Sequence, residues 1–136
     1  MIKGISHLTF SVSDLAASIK FYGQVFEAEL VYHDVRTAYF DLAGLWLALN
    51  VQTDVARQVI RQSSTHIAFA VDEAGIAAME QRLQRLGVPL LPGRPRGAGE
   101  GASLYFADPD GHGLEVHCGS LETRLKAYEK AASNKH

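Results

Sequence analysis

The stretch from Ser103 to His117 reads S-L-Y-F-A-D-P-D-G-H-G-L-E-V-H and predicts a β-hairpin. Two alternating runs, 103–107 and 113–117, flank a tight turn at Asp108-Pro109-Asp110-Gly111. Because residues two apart in a strand share a face, the apolar side chains of both runs lie on one side. The opposite side carries Ser103, Tyr105, Glu115 and His117. This composition indicates a functional face, provided that the other strands are divided in the same way.

The hairpin completes the second copy of an internal repeat. The segment H-L-T-F-S-V-S-D from His7 to Asp14 is echoed 59 residues later by H-I-A-F-A-V-D-E from His66 to Glu73. Each copy continues into a stretch of helical period and then into alternating stretches. The sequence therefore predicts an α+β fold of two paired βαβββ modules, which form a cup-shaped mixed sheet with the helices outside.

Local signals give the bounds of these elements. The first module, about 4–50, has predicted strands at 5–12, 29–33, 37–42 and 45–50, with a helix after the Ser13-Asp14 N-cap. The second module, about 64–118, has a strand from His66, a helix that ends at Gly87, an edge strand at 88–91 and the hairpin.

The remaining segments connect or follow the modules. Residues 51–64 form a polar linker, with a helical turn around 56–60, and Ser120 caps a C-terminal helix at about 120–130. The polar tail from about 131 to 136 is predicted to be disordered. We expect the two modules to form a single domain spanning 1–136.

Composition restricts the class of partner and the compartment. The net charge of −2, with 13 Lys+Arg against 15 Asp+Glu, argues against nucleic acid or an anionic membrane as partner. No apolar run is long enough to span a bilayer, and the N-terminus lacks a signal pattern. The single cysteine, Cys118, excludes an internal disulfide and fits a cytoplasmic location.

His7, His66 and Glu115 form a candidate metal-binding set. The two histidines hold equivalent positions in the repeat, and Glu115 lies on the last strand. Two imidazoles and a carboxylate are common ligands of divalent metals. Either histidine alone would be interpreted as an ordinary, partly buried strand residue, but their equivalence favours the metal. The histidines without a repeat partner are interpreted as surface residues or neighbours of the site: His33, His112 and His117.

Several motifs together resemble the fosfomycin-resistance proteins of the vicinal oxygen chelate superfamily. They are M-I-K-G-I-S-H-L-T-F-S-V-S-D-L at 1–15, F-Y at 21–22, A-Y-F at 38–40, G-L-W-L-A-L-N at 44–50, T-H-I-A-F at 65–69, S-L-Y-F-A-D-P-D-G-H at 103–112 and L-E-T-R-L at 121–125. The D-P-D-G-H turn is common to the whole superfamily, whereas W-L-A-L-N at 46–50, together with S-x-Y-F at 103–106 and T-R-L at 123–125, is much more specific. Overall, the chain is most similar to the FosB-like thiol transferases.

This resemblance implies roles for the polar strand faces. It makes His7, His66 and Glu115 the metal ligands, in agreement with the repeat. The implied substrate site is lined by Thr9, Tyr39, Trp46, Asn50, Arg94, Ser103, Tyr105 and Arg124. Of these, Arg94, Ser103, Tyr105 and Arg124 would hold the phosphonate of fosfomycin. Thr9 and Tyr39 are candidate assistants in catalysis, and no protein nucleophile is expected.

The resemblance also implies a cofactor, two substrates and a homodimer. The metal, Mn²⁺ or Mg²⁺ with Zn²⁺ or Ni²⁺ as other occupants, would act as a Lewis acid on the epoxide. A thiol co-substrate, bacillithiol or L-cysteine, would open the ring. In the homodimer His7 would join His66 and Glu115 of the partner subunit. The loop 93–101 and the helix that contains Arg124 would close over the substrate.

Two departures leave the thiol open. The FosB-like branch often has Cys where this chain has Thr9, and Tyr where it has Ser64. Threonine at the first position is found in the glutathione-using FosA-like branch. Glutathione is therefore the second choice of thiol.

Two other functions stay open at this point. A FosX-like branch hydrates the epoxide with a carboxylate base, but Gly44 and Ala48 occupy the positions where we expect one, which leaves Asp41 and Glu100 as candidates. The non-enzymatic alternative is a drug-sequestering protein like the bleomycin-resistance proteins of this fold. Those proteins lack the metal triad that this chain contains.

Overall fold

The structure, a computed structural model, describes residues 1–94 and 97–134. Its helices and strands are β1 His7–Val12, α1 Leu15–Phe26, β2 Glu29–His33, β3 Thr37–Leu42, β4 Leu45–Val51, α2 Arg57–Gln62, β5 His66–Ala70, α3 Glu73–Arg85, β6 Ser103–Ala107, β7 Gly113–His117 and α4 Leu121–Ser133. They divide into two compact units, one of 1–65 with 108–112 and the other of the described residues in 66–107 and 113–136. The predicted α+β class is confirmed.

The first unit is a four-stranded mixed sheet covered by α1. Its strand order is β1-β4-β3-β2, with β1 parallel to β4 and the other neighbours antiparallel. Asp14 begins α1 as predicted, because its carboxylate accepts a hydrogen bond from the amide of Ala17 at 3.1 Å. The helix buries Tyr22 and Val25 together with the sheet residues Phe40 and Leu47. Side chains of this size each contribute about 1.5–3 kcal/mol when fully buried.

The turn 108–112 belongs to this first unit and brings two buried carboxylates into it. Asp108 accepts hydrogen bonds from the hydroxyl of Tyr22 at 2.8 Å and from the amides of Asp110 and His112 at 3.0 and 2.9 Å. Burial raises the pKa of Asp108, although these hydrogen bonds and the nearby His112 oppose the shift. The buried carboxylates are therefore satisfied, which is the condition under which a folded protein tolerates them.

His112 is not the surface residue that the sequence analysis allowed it to be. Its ring stacks on Phe10 with the ring centroids 4.4 Å apart, and its Nε2 lies 2.7 Å from the carbonyl oxygen of Ser11. The side chain is half-buried. The sequence left the place of His112 open because alternation along a strand carries no information about the packing of a turn residue.

Replacing Tyr22 by Phe is expected to destabilise the protein by about 2 kcal/mol, because the buried carboxylate of Asp108 loses a hydroxyl donor. Burial, and then the charge of Asp108, raises the pKa of Tyr22 well above its usual value near 10. The hydroxyl therefore stabilises the fold fully below pH 10, and this contribution is lost as the pH rises above that value. Urea unfolding at pH 8 and above pH 10 measures both effects.

The matched control for that experiment is Tyr32→Phe. The hydroxyl of Tyr32 also donates to an aspartate, Asp34, at 2.9 Å, but the pair is exposed. We expect the control to unfold like the wild type at pH 8. Equal urea midpoints for the two variants would contradict the importance of burial at Tyr22.

The second unit is a three-stranded mixed sheet with α3 packed on β6 and β7. Its strand order is β5-β7-β6, with β5 parallel and β6 antiparallel to β7. Asp72 caps α3 through the amide of Gly75 at 2.7 Å. Gly87 follows the helix with φ +70°, so its predicted role as the terminator is confirmed. The core of the unit is formed by Leu83, Phe106, Leu114 and Val116.

The predicted edge strand at 88–91 is wrong. Only Leu91 pairs with the sheet, through a single bridge to Tyr105 in which its amide lies 2.7 Å from the carbonyl oxygen. The amide of Val88 donates to the carbonyl oxygen of Leu83 at 2.9 Å, and Pro89 has no amide hydrogen, so neither residue donates to the sheet. Within the described residues the second module is therefore βαββ plus a bridge.

Other bounds shift by a few residues. β4 runs to Val51, where it pairs with Val12, and α2 lies at 57–62 rather than at 56–60. α4 continues to Ser133, so the prediction of disorder from 131 is wrong as far as that residue. Lys135 and His136, the end of the predicted tail, lie outside the described residues. Across 1–94 and 97–134, no helix has the length and apolar character needed to cross a membrane.

Candidate active site

Glu115 is a buried carboxylate in the middle of the second sheet. It lies on the central strand β7, next to Ala68 of β5 and Tyr105 of β6. Only 5% of its surface is exposed. Its Oε1 lies 3.0 Å from Nε2 of His66, whose side chain is 42% exposed. The structure thus brings two of the three predicted metal ligands together, with one of them open to solvent.

Ser103 and His117 contact the other oxygen of the same carboxylate. The hydroxyl of Ser103 donates to Oε2 of Glu115 at 2.7 Å, and Nδ1 of His117 lies 2.7 Å from that hydroxyl. Because a serine hydroxyl has one proton, it accepts from His117, which places a proton on Nδ1. The His117 side chain is 15% exposed, so it is a neighbour of the site and not a surface residue.

The His66–Glu115 pair fits a divalent metal by its chemistry. An imidazole nitrogen and a carboxylate oxygen are the donors that such ions use in proteins, and hydrogen bonds to the second oxygen orient the carboxylate. In the parts of the chain that the structure describes, no three His, Cys, Asp or Glu side chains form a group that could hold a metal. Within those parts of the chain, His66 and Glu115 therefore supply two donors of the kind that a divalent metal uses.

The first unit holds the third predicted ligand and most of the predicted aromatic lining. The exposed His7 lies beside Trp46 in the β1–β4 pairing, with ring centroids 4.4 Å apart, and Trp46 meets the edge of Tyr39 at 5.3 Å. Thr9 and Tyr39 flank Ala48 in the same sheet. Tyr39 and Trp46 also line a groove of about 280 Å³. These predicted residues therefore share one face of the sheet.

Two further residues of this sheet are Asn50, which was predicted as a site residue, and Tyr32, which was not. Asn50 is exposed and accepts a hydrogen bond from the hydroxyl of Thr37 at 3.1 Å. Tyr32 was not predicted, yet it pairs with Tyr39 across β2 and β3 with ring centroids 5.5 Å apart. The signal that could have found it is its position in the predicted strand 29–33, directly opposite a site residue.

Three of the predicted phosphonate ligands line one groove of about 400 Å³ in the second unit: Arg94, Ser103 and Tyr105. The Tyr105 ring packs against Gly93, where a Cβ atom would lie 2.5 Å from the ring. It also faces His66 edge-on at 6.1 Å. Arg124 lines a second groove of about 310 Å³ together with His117.

Arg94 and Arg124 converge on one carboxylate, that of Glu100. Nη2 of Arg94 donates to its Oε1 at 2.6 Å, and Nε of Arg124 lies 3.4 Å from the same oxygen. The amide of Gly97 donates to the other oxygen. The hydrogen bond from Arg94 is the main cause that lowers the pKa of Glu100, and it raises the pKa of Arg94. Pro95 and Arg96, which belong to the predicted closing loop 93–101, lie outside the described residues.

Two carboxylates were candidates for the base of an epoxide hydration. Asp41 is exposed and accepts from the amide of Gly44 at 2.8 Å, so it stabilises the turn between β3 and β4. Glu100 is held by the two arginines with a lowered pKa. A carboxylate with a lowered pKa is a weaker acceptor of protons, which makes Glu100 less suited to the role of a general base.

Comparison with known proteins identifies the family. The family profile of the Glyoxalase/Bleomycin resistance protein/Dioxygenase superfamily matches residues 4–116. A metallothiol transferase FosB of Shouchella clausii is 53% identical over 134 residues, covering 97% of this chain and 91% of that protein. The metallothiol transferase FosB of Bacillus licheniformis is 50% identical, covering 94% of this chain and 83% of that protein.

Solved structures agree with this assignment. The fosfomycin resistance protein FosX from Listeria monocytogenes, complexed with Mn(II) and a sulfate ion, is 38% identical with a TM-score of 0.84, covering 94% of this chain and 99% of that chain. FosX from Mesorhizobium loti is also 38% identical, with a TM-score of 0.78, covering 92% of this chain and 99% of that chain. The chain therefore belongs to the Glyoxalase/Bleomycin resistance protein/Dioxygenase superfamily and, within it, to the family of the metallothiol transferase FosB.

Proposed function

We propose that this protein inactivates fosfomycin by adding a low-molecular-weight thiol to its epoxide, and so confers resistance to that antibiotic. The observation that carries the proposal is the buried Glu115 with His66 at 3.0 Å, in a chain that is 53% identical to a metallothiol transferase FosB. A metallothiol transferase requires metal ligands of this kind, whereas a protein that only binds the drug does not require a metal.

His66 and Glu115, together with His7, are the proposed ligands of a divalent metal, Mn²⁺ or Mg²⁺. The FosX structure with Mn(II) supports an ion of this kind. When bound, the ion supplies Lewis acidity to the epoxide oxygen. In the proposed homodimer each metal site is shared between the two subunits. His7 of one subunit acts with His66 and Glu115 of the partner subunit.

The side chains of the protein bind and orient the two substrates. Arg94 and Arg124 suit a phosphonate, because the fixed donors of a guanidinium reach two oxygens at once. Tyr105, in the groove next to Arg94, adds a phenolic donor. Holding the epoxide carbon in line with an incoming thiolate supplies most of the rate enhancement, and no protein nucleophile is needed. Tyr39 and Trp46 are proposed to line the substrate site with their aromatic rings.

The thiol is bacillithiol or L-cysteine in our first proposal, with glutathione second because of Thr9. We place the reaction in the cytoplasm, because that compartment keeps such thiols reduced and also keeps a free cysteine such as Cys118 reduced. Epoxide hydration is the competing enzymatic function. It is favoured by the FosX structure complexed with Mn(II) and 1S,2S-dihydroxypropylphosphonic acid, a diol. The ion-paired Glu100 and the exposed Asp41 both argue against it.

Mass spectrometry of the reaction product separates these functions. The protein is incubated with fosfomycin, Mn²⁺ and equal amounts of bacillithiol, L-cysteine and glutathione. We expect a fosfomycin–thiol adduct, with bacillithiol or cysteine consumed ahead of glutathione. A diol formed without any thiol would establish the hydrolase instead. Unmodified fosfomycin that stays bound to the protein would establish sequestration.

A further inference from the structure

We propose that Glu100 is a positioning residue that holds the guanidinium groups of Arg94 and Arg124 together as one anion-binding pair. The inference rests on the proposed function, in which this pair receives the phosphonate. Glu100 itself does not touch the substrate. Glu100 fixes the positions of the two arginine side chains before the substrate binds.

The contacts of Glu100 make it the centre of the cluster. It is 6% exposed, and its Oε1 contacts Nη2 of Arg94 at 2.6 Å and Nε of Arg124 at 3.4 Å. Its Oε2 accepts from the amide of Gly97, which ties the carboxylate to the loop before β6. One arginine comes from that loop and the other from α4. The carboxylate is therefore the group that joins two separate segments of the chain.

The two arginines extend from this buried anchor towards solvent. Their side chains are 43% and 25% exposed for Arg94 and Arg124, against 8% for the side chain of Glu100. Each guanidinium has five N–H donors in a fixed fork, and Glu100 contacts one nitrogen of each. The fixed fork of donors suits the oxygens of an anion, and both side chains are partly exposed.

Charge and entropy both favour an internal carboxylate at this point. Two guanidinium groups that converge repel each other, and one carboxylate between them reduces the repulsion while it leaves a net positive charge. Arginine side chains also have many rotamers, and ordering them before the substrate arrives removes that loss from the binding step. Since a phosphonate carries up to two negative charges, it gains more from the remaining positive charge than a monoanion does.

A competing interpretation makes the opposite prediction. If Glu100 only occupied the arginines in place of the substrate, its removal would release them and lower the KM for fosfomycin. If it positions them, its removal raises that KM. The sign of the change therefore decides between the two interpretations.

The experiment compares Glu100→Gln and Glu100→Asp with the control Glu122→Gln, an exposed glutamate on α4 that pairs with Lys126 at 3.0 Å. For Glu100→Gln we expect a KM for fosfomycin raised about tenfold, with kcat within about threefold and the KM for the thiol unchanged. Glu100→Asp keeps the charge and is expected to raise the KM by about threefold. Inorganic phosphate, a competitive probe of the same pair, should inhibit Glu100→Gln about tenfold less well than the wild type.

An unchanged or lowered KM for fosfomycin in Glu100→Gln would overturn the inference. If that variant does not fold, as judged by its thermal melt, the Asp variant decides, and a wild-type KM would then overturn it. If the wild type forms no adduct, the proposed function fails separately. The inference is then judged by calorimetric titration of inorganic phosphate, for which equal affinities of wild type and variant would overturn it.

Discussion

Replacing Glu115 by Gln is expected to abolish fosfomycin turnover, with kcat/KM reduced by more than about 100-fold. Loss of a residue that only hydrogen-bonds to a metal ligand costs up to about 100-fold in activity, and loss of a ligand itself should cost more. The carboxylate is buried and its two oxygens face His66 at 3.0 Å and Ser103 at 2.7 Å. Glutamine keeps the shape and can still bond Ser103, but it removes the negative charge that attracts a divalent cation. Metal affinity and activity should fall together.

Two measurements on the same protein sample test this expectation. Bound manganese is determined after dialysis against Mn²⁺, and adduct formation is followed with a saturating thiol. The control is Glu129→Gln, the same chemical change at an exposed position on α4. A Glu115→Gln protein that retains one Mn²⁺ per chain and wild-type turnover would show that Glu115 is not a metal ligand.

The neighbourhood of Glu115 could be predicted in part from the sequence. A period of two placed Glu115 and His117 on one face of β7, and Ser103 and Tyr105 on the matching face of β6. The internal repeat selected His66, with His7, as a candidate metal ligand beside Glu115, and the structure places His66 and Glu115 in contact. These are properties of strands and of repeats, which the order of residue types reveals directly.

The role of His117 required the register of the hairpin. The sequence analysis set His117 aside because it has no counterpart in the first module. In the structure it lies directly opposite Ser103, and this pairing brings its Nδ1 within 2.7 Å of the serine hydroxyl. The turn D-P-D-G-H determines that register, so the contact could have been predicted by counting outward from the turn.

Contacts made by loops and turns could not be predicted in this way. Arg94, Glu100 and Arg124 lie on a loop and on a helix, and no periodicity relates them. The edge strand at 88–91 was predicted because a proline is tolerated at a sheet edge, but the amide of Val88 donates to Leu83 and only Leu91 forms a bridge. Both cases depend on the local backbone path, which the pattern of residue types does not determine.

The contacts of the turn 108–112 could not be predicted from the sequence pattern either. Within this turn, we expect the largest loss of stability from replacing Asp110. Asp110 is 2% exposed; its two oxygens accept from the amide of Ser13 at 3.1 and 3.0 Å, and Oδ1 lies 3.4 Å from Nε of Arg57. Replacing Asp110 by Ala removes the acceptor of a part-buried amide and leaves the Arg57 charge without its carboxylate. We expect a loss of about 3 kcal/mol in the free energy of unfolding.

This value lies at the low end for a broken buried ion pair, because Arg57 keeps a hydrogen bond from Nη1 to the carbonyl oxygen of Ser11 at 2.8 Å. For a chain of 136 residues, 3 kcal/mol corresponds to a fall in Tm of about 6–12 °C. Urea unfolding and thermal melts at pH 7 measure it, with Asp54→Ala as the exposed control.

The variant Asp110→Asn separates charge from hydrogen bonding at this position. Asparagine can still accept from the amide of Ser13 through its side-chain oxygen, but it cannot pair with the charge of Arg57. If the ion pair carries most of the effect, Asp110→Asn loses nearly as much stability as Asp110→Ala, and adding Arg57→Gln to it costs little more. If the two bonds to Ser13 carry it, Asp110→Asn stays close to the wild type. An Asp110→Ala protein whose urea midpoint equals that of Asp54→Ala would contradict both explanations, because it would mean that a buried carboxylate with these contacts contributes nothing to the fold.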